Sequence, residues 1–202
     1  MLDGKARQLL DPFLERIAKA IVKIGIGANV VTVVAFVVGL MAAYAIATGY
    51  LFAGLLLILV SRLGDGLDGA VARQTHKTDF GGYLDIVLDF AFYGAIPFAF
   101  VLLNPAQNAI AGAALILTFY INGSSFLAYA IMAEKHGMKS TARGSKSLYF
   151  VTGLAEATET IAVFVAFCIF PGWFPLVAWS FAVICLITAF ARILQVHNEF
   201  RD

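Results

Sequence analysis

The sequence predicts an all-α integral membrane protein, with six transmembrane helices preceded by an N-terminal amphipathic helix at the membrane surface. The first reason is composition. Of 202 residues, 61% are hydrophobic and 13% are charged, whereas soluble domains have about 45–50% and about 25%. The second reason is a mean hydropathy of +0.87, which excludes a soluble or disordered chain. The third reason is the distribution of the charged residues, which leaves three long stretches of the chain without any. A net charge of +1 also offers no basic surface for nucleic acid.

Three long stretches contain no Asp, Glu, Lys or Arg, namely 24–61, 90–133 and 160–191. A spanning helix takes about 20 residues. The first two stretches therefore hold two spans each, and the third does so once 148–159 is added. Gly or Pro lies near the middle of each stretch, where a turn is expected. The pattern predicts three helical hairpins with helices at 29–48, 51–74, 82–103, 107–133, 147–170 and 173–195.

This arrangement leaves the three hairpin tips without Lys or Arg, although the chain has 14 such residues. Lys and Arg mark the cytoplasmic side of a membrane protein. Both termini and the functional site are therefore predicted to be cytoplasmic, in a bacterial or archaeal cytoplasmic membrane.

Residues 1–23 differ from the rest, because apolar residues recur there at helical spacing between basic ones. This predicts an amphipathic helix lying on the membrane surface. The six-helix bundle at 29–195 completes a single domain over 1–202. Asn29 lies where it could cap the first spanning helix.

Four aspartates lie where the second and third spans meet. Asp65 and Asp68 are three residues apart and Asp85 and Asp89 are four apart, so each pair shares a helix face. Because a short connection makes these helices antiparallel neighbours, we expect the carboxylates to converge near the cytoplasmic boundary. Carboxylates without His or Cys select hard divalent cations, Mg²⁺ or Mn²⁺, with Ca²⁺ as a possible substitute. Two such ions would balance four aspartates and suit phosphoryl chemistry.

Small residues and arginines surround these aspartates. Gly64, Gly66 and Gly69 allow helices or a ligand to approach closely. Arg62 and Arg73 are candidates for binding phosphate oxygens. The alternative is that the glycines serve only packing and the aspartates only end helices.

Residues 65–73 and 81–89 together resemble the signature of the CDP-alcohol phosphotransferase (phosphatidyltransferase) family, D-x2-D-G-x2-A-R-x7/8-G-x3-D-x3-D. The resemblance implies a membrane domain of six spans and a phospholipid-synthesising enzyme. Such an enzyme transfers a substituted phosphate from a CDP-linked lipid, such as CDP-diacylglycerol, to an alcohol and releases CMP. The resemblance also implies that the protein forms a homodimer and that membrane lipids are among its partners.

The resemblance assigns roles to individual residues. The metal pair would be held by Asp65, Asp68, Asp85 and Asp89. Asp89 would also be the general base on the acceptor hydroxyl. The nucleotide pocket would be lined by Gly69, Ala72 and Arg73, with Asn29 and Thr32 from a shorter Asn-x-x-Thr match.

The acceptor alcohol is less constrained by the sequence, and glycerol 3-phosphate is the default expectation. Phosphatidylglycerol, inositol phosphate, serine and other amino alcohols are the alternatives. The basic residues between the fourth and fifth helices could bind an acceptor phosphate or merely follow the positive-inside rule; they are Lys135, Lys139, Arg143 and Lys146. Glu156 and Glu159 are expected 8–12 residues into the fifth helix, at about the depth of Asp89 by helical rise. They could line the acceptor side or pair with Arg62.

Two other classes are compatible with intramembrane carboxylates. An ion- or proton-coupled transporter is one, but internal repeats and a midplane site are not seen in the sequence. An aspartate-rich prenyltransferase is the other, although it leaves the Gly-Ala-Arg context unexplained.

Overall fold

The computed structural model describes residues 3–137 and 154–200, and all regular secondary structure in these two ranges is helical. A short 3-10 helix, Pro171–Trp173, precedes the last α-helix. The α-helices are α1 Asp3–Lys23, α2 Ala28–Ala47, α3 Leu51–Gln74, α4 Asp79–Leu103, α5 Pro105–Lys135, α6 Ala157–Ile169 and α7 Phe174–Glu199.

Local capping explains where the middle helices begin. The Thr78 hydroxyl accepts the Gly81 N–H at 3.0 Å, so α4 starts three residues earlier than predicted. The Asn104 side chain accepts the Gln107 N–H at 3.3 Å, and Pro105 follows it in the first turn of α5. The bounds of α3 are those predicted from the sequence.

Asn29 does not cap α2, contrary to one prediction. Gly27 takes the N-cap position with extended backbone, φ −81° and ψ 160°. The helix therefore begins at Ala28, and Asn29 lies inside its first turn. Its amide is left free to contact another helix.

The fifth predicted helix, 147–170, is wrong at residues 154–156. The predicted segment 147–153 lies outside the described residues, and the backbone at 154–156 is not helical. Here the Ala155 N–H donates to the Thr188 hydroxyl of α7 at 3.2 Å, a tertiary bond in place of a helical one. Glu156 is the extended N-cap of α6, and Glu159 lies in the first turn. Acidic residues are favourable there because they face the positive end of the helix dipole.

Within residues 3–137 and 154–200, four helical segments are long and apolar enough to cross a membrane: Ala28–Ala47, Asp79–Leu103, Pro105–Lys135 and Pro171–Glu199. The 24 residues of α3 carry a charged C-terminal half, and α6 has only 13 residues. The helical character of the described residues and these apolar segments are those of an integral membrane protein.

The core is rich in phenylalanine, and small residues let the helices approach it. The buried rings are those of Phe92, Phe100, Phe164, Phe167, Phe174 and Phe181. A Cβ at Gly39 of α2 would lie 2.6 Å from Cδ2 of Phe92, and one at Gly64 of α3 would lie 2.8 Å from Cβ of Ala35. These close approaches hold α2 against both α3 and α4, the two helices that carry the aspartates.

Candidate active site

Three aspartates converge where α3 ends and α4 begins. Carboxylate oxygens of Asp65, Asp68 and Asp85 all lie within 4.8 Å of one another. Asp68 is buried, and its Oδ2 has no hydrogen-bond partner among the described residues. A buried carboxylate oxygen without a partner is costly unless a cation or donor satisfies it.

This donor set fits a divalent cation. Three carboxylates within reach of one point supply the hard oxygen ligands that Mg²⁺, Mn²⁺ and Ca²⁺ prefer. The unsatisfied oxygen of Asp68 is the position that a cation would complete. A neutral ligand would leave the repulsion among these carboxylates in place.

Asp89 lies beside this triad with a different partner. Its Oδ1 accepts a 2.7 Å hydrogen bond from Nη1 of Arg62, and the same Nη1 is 3.6 Å from Oδ1 of Asp65. The Arg62 side chain is 8% exposed, and its guanidinium stacks 3.8 Å from the centre of the Phe92 ring. One buried cation therefore neutralises the predicted base and touches the predicted metal ligands.

The predicted nucleotide residues of α2 lie next to the aspartates. The Thr32 hydroxyl donates to the Ala28 carbonyl at 3.0 Å and lies against the Asp68 carboxylate. The amide oxygen of Asn29 is 2.8 Å from the position that a Cβ would take on Gly81. The first turns of α2 and α4 therefore meet at the aspartate end of α3.

The predicted nucleotide residues of α3 follow the triad along the helix. Ala72 is half-buried. Nη1 of Arg73 lies 3.6 Å from the position of a Cβ on Gly69, so the guanidinium extends along a surface that has no side chain. Arg73 is also ion-paired with Glu15 of α1, a residue that the sequence pattern did not single out.

The predicted acceptor residues are more scattered. Lys135 is exposed in the last turn of α5, and Lys139, Arg143 and Lys146 lie outside the described residues. Glu156 and Glu159 lie at the start of α6 and not 8–12 residues into a helix, which corrects their predicted position along it. Arg62, the partner considered for these glutamates, is bound to aspartates of α3 and α4.

Arg192 of α7 is a further candidate site residue, which the sequence reasoning missed. It is 6% exposed, and Nη1 donates to the Asn122 carbonyl, the Asn122 side chain and the Ser125 hydroxyl at 3.0, 3.1 and 2.6 Å. Its Nε has no hydrogen-bond partner within the described ranges, and Glu156 lies near enough to interact with it electrostatically. The available signal was an arginine following a long apolar span.

Arg192 is linked to the aspartates through α5. It binds Asn122, and a Cβ on the adjacent Gly123 would overlap the ring of Phe90. Phe90 directly follows Asp89 in α4. Arg192 therefore contacts the residue next to Gly123, and Gly123 in turn lies against the residue next to Asp89, the predicted base.

The site and fold can now be compared with known proteins. A family model for CDP-alcohol phosphatidyltransferase matches residues 26–191. The inner membrane protein YnjF of Escherichia coli (strain K12) is 45% identical over 193 residues, covering 96% of this chain and 94% of that protein. An archaetidylinositol phosphate synthase of Pyrococcus horikoshii is 39% identical over 88 residues, covering 43% of this chain and 46% of that protein.

Solved structures share the fold. The phosphatidylinositol phosphate synthase PgsA1 of Mycobacterium tuberculosis with CDP-DAG bound has a TM-score of 0.74 and 24% identity, covering 91% of this chain and 93% of that one. A second PgsA1 structure, in complex with manganese and citrate, gives the same TM-score of 0.74.

The chain belongs to the CDP-alcohol phosphatidyltransferase family. It is an integral membrane protein and a transferase of this kind.

Proposed function

We propose that this protein transfers a phosphatidyl group from a CDP-linked lipid, such as CDP-diacylglycerol, to an alcohol and releases CMP. The observation that carries the proposal is the aspartate triad, whose oxygens lie within 4.8 Å of one another inside the family signature. The donor is further supported by a fold shared with a protein solved with CDP-DAG bound.

Each aspartate has a distinct task in this proposal. Asp65, Asp68 and Asp85 would hold two divalent cations, Mg²⁺ or Mn²⁺, with Asp89 as a further ligand. When bound there, such ions would spread the charge of the donor diphosphate and make CMP a better leaving group. Asp89 takes the proton from the acceptor hydroxyl as that oxygen attacks the β-phosphorus. Arg62, hydrogen-bonded to Asp89 at 2.7 Å, holds the carboxylate toward the acceptor.

The nucleotide occupies the surface formed by α2, α3 and the start of α4. Asn29 and Thr32 approach it from α2, and Gly69, Ala72 and Arg73 from α3. The bare surface at Gly69 allows a nucleotide to approach the helix backbone. The acyl chains of the donor remain in the bilayer, so the reaction takes place at its cytoplasmic boundary.

The acceptor we favour is an inositol phosphate rather than glycerol 3-phosphate. Two archaetidylinositol phosphate synthases, from Pyrococcus horikoshii and Methanothermobacter thermautotrophicus, are each 39% identical over less than half of this chain. The buried Arg192, with an Nε that has no partner in the described residues, supports an acceptor that carries a phosphate. Glu156, beside Arg192, suits the hydroxyls of a polyol.

The same proposal includes the topology. The helices α2 to α7 form six spans in a single domain, α1 lies on the cytoplasmic membrane surface, and both termini and the site face the cytoplasm. Two copies associate as a homodimer.

CMP release by the purified protein tests the proposal. We expect CMP only when CDP-diacylglycerol, Mg²⁺ and an acceptor are all present, with inositol phosphate preferred over glycerol 3-phosphate and serine. EDTA should abolish release. Asp85→Asn should lower the rate at least about 100-fold, as expected for losing a ligand that places the catalytic ions. The matched control is Asp79→Asn in the first turn of the same helix, which should retain the wild-type rate.

Three outcomes would count against it. Pyrophosphate release in place of CMP would indicate prenyl transfer, and no release with any acceptor would favour a transporter. A preference for glycerol 3-phosphate would keep the reaction and overturn the acceptor.

A further inference from the structure

Helix α1 contacts Arg73, which is the arginine of the family signature. Nε and Nη2 of Arg73 each lie 2.9 Å from Oε1 of Glu15. The second carboxylate oxygen, Oε2, accepts a 2.7 Å hydrogen bond from Nε2 of Gln74, which also donates to the Glu15 carbonyl at 3.0 Å. Both oxygens of Glu15 and its backbone are therefore committed to the end of α3.

Apolar packing between α1 and α3 fixes the position of Glu15 along the axis of α3. The flanking residues Leu14 and Ala18 are 5% and 0% exposed, and they pack against Ala70 and Val71, which are both 0% exposed. Because the backbone of α1 is anchored in this way, only side-chain rotations of Glu15 and Arg73 remain to be restricted when the two groups bind. The arrangement is thus more constrained than an isolated surface ion pair.

The contacts also set which edge of Arg73 remains available. With Nε and Nη2 turned to Glu15, Nη1 lies on the side of Gly69, 3.6 Å from its Cβ position. The hydrogen bond from Gln74 and the contact with Arg73 lower the pKa of the Glu15 carboxyl, so it stays ionised at neutral pH. The positive charge of Arg73 is offset by this carboxylate, and Nη1 acts as an oriented hydrogen-bond donor more than as a free cation.

We propose that Glu15 is a positioning residue of the nucleotide site, which holds the Arg73 guanidinium so that Nη1 faces the nucleotide across Gly69. The inference rests on the proposed function, because it takes the surface at Gly69 and Arg73 as the cytidine nucleotide site. It adds α1, a helix outside the signature, to the parts that bind the donor.

Binding of CMP to the full-length protein, measured by isothermal titration in detergent with Mg²⁺, tests the inference without turnover. Glu15→Ala should weaken CMP binding about tenfold, the effect of misplacing one charge-assisted hydrogen bond. The KM for CDP-diacylglycerol should rise by a similar factor with kcat within twofold. Glu15→Gln, which keeps an acceptor for Arg73, should fall between Glu15→Ala and wild type. Asp11→Asn is the control, because its carboxylate is 3.8 Å from Arg73 and exposed; it should bind CMP within twofold of wild type.

A charge exchange tests whether the same ion pair also anchors α1 to α3 and whether CMP binding needs the guanidinium at position 73. The double variant Glu15→Arg/Arg73→Glu restores an ion pair between α1 and α3 but gives the nucleotide no guanidinium at position 73. We expect it to regain the melting temperature lost by Glu15→Ala and not to regain CMP binding. Unchanged CMP binding in both Glu15→Ala and Glu15→Gln, or full recovery in the exchanged variant, would overturn the inference. If wild type turns over the donor while Glu15 variants match it, only this inference fails. If wild type binds no CMP, the proposed function fails with it.

Discussion

The Arg62–Asp89 pair gives a quantitative test of how charge is balanced beside the aspartate triad. The perturbation is Arg62→Met, which keeps a long apolar stem but removes the guanidinium. The loss leaves Asp89 without its 2.7 Å partner and Asp65 without a cation at 3.6 Å. Both carboxylates then repel each other and the rest of the triad.

The structure sets the size of the effect. The side chains are 8% exposed for Arg62 and 28% for Asp89, so solvent screens the pair only in part. Two unit charges about 4 Å apart attract by about 4 kcal/mol at an effective dielectric constant of about 20. Removing one member of a buried pair costs about 3–5 kcal/mol because the other is left unpaired. We expect Arg62→Met to lower the free energy of unfolding by about 3 kcal/mol.

The assay is a double-mutant cycle in detergent without divalent cations, comparing wild type, Arg62→Met, Asp89→Asn and the double variant. Asp89→Asn is nearly isosteric and removes the charge left behind. The double variant should therefore be more stable than additivity predicts, with a coupling of about 2 kcal/mol. Added Mg²⁺ should stabilise Arg62→Met more than wild type, because the cation replaces the missing positive charge near the triad.

Arg73→Met provides the matched control on the same helix. Its side chain is 35% exposed and its partners are on α1, so its loss should cost less than about 1 kcal/mol. Additive effects of Arg62→Met and Asp89→Asn, within about 0.5 kcal/mol, would refute the view that this ion pair balances the charge of the site.

Two further predictions concern packing and the acceptor. Gly39→Ala would bring a Cβ to 2.6 Å from Cδ2 of the fully buried Phe92. The free energy of unfolding should therefore fall by about 1–3 kcal/mol, which a lower melting temperature would show. Gly94→Ala is its control, because nothing lies within 4 Å of the new methyl group and the helix gains propensity; equal stability of the two variants would contradict the packing argument. Arg192→Gln should raise the KM for inositol phosphate at least about tenfold, the value of a lost charge-assisted contact, and leave CMP binding within twofold. An unchanged KM for the acceptor would remove Arg192 from the proposed acceptor pocket.

The convergence of the aspartates could be predicted because it depends on residues close together in the sequence. The spacing of Asp65 and Asp68 fixes a shared helix face, and a short connection to α4 brings Asp85 to the same end. The bounds of α3 followed from a turn at Gly49 and a polar segment after Gln74. These features depend on helix geometry and not on distant contacts.

Contacts between segments far apart in the sequence could not be predicted from helical spacing. The start of α6 depends on the bond from Ala155 to Thr188, which joins residues 33 apart. Glu15 reaches Arg73 across 58 residues. Helical spacing indicates that a residue shares a face with its neighbours, but it does not indicate which helix that face meets.

The ring of Phe92 belongs to two environments at once. It fills the gap that Gly39 leaves between α2 and α4, and it lies under the guanidinium of Arg62. A change that tilts this ring therefore also moves the guanidinium of Arg62 beside Asp89. A substitution at position 39 is therefore expected to alter the electrostatic environment of Asp89, although Gly39 contacts neither Arg62 nor Asp89 directly.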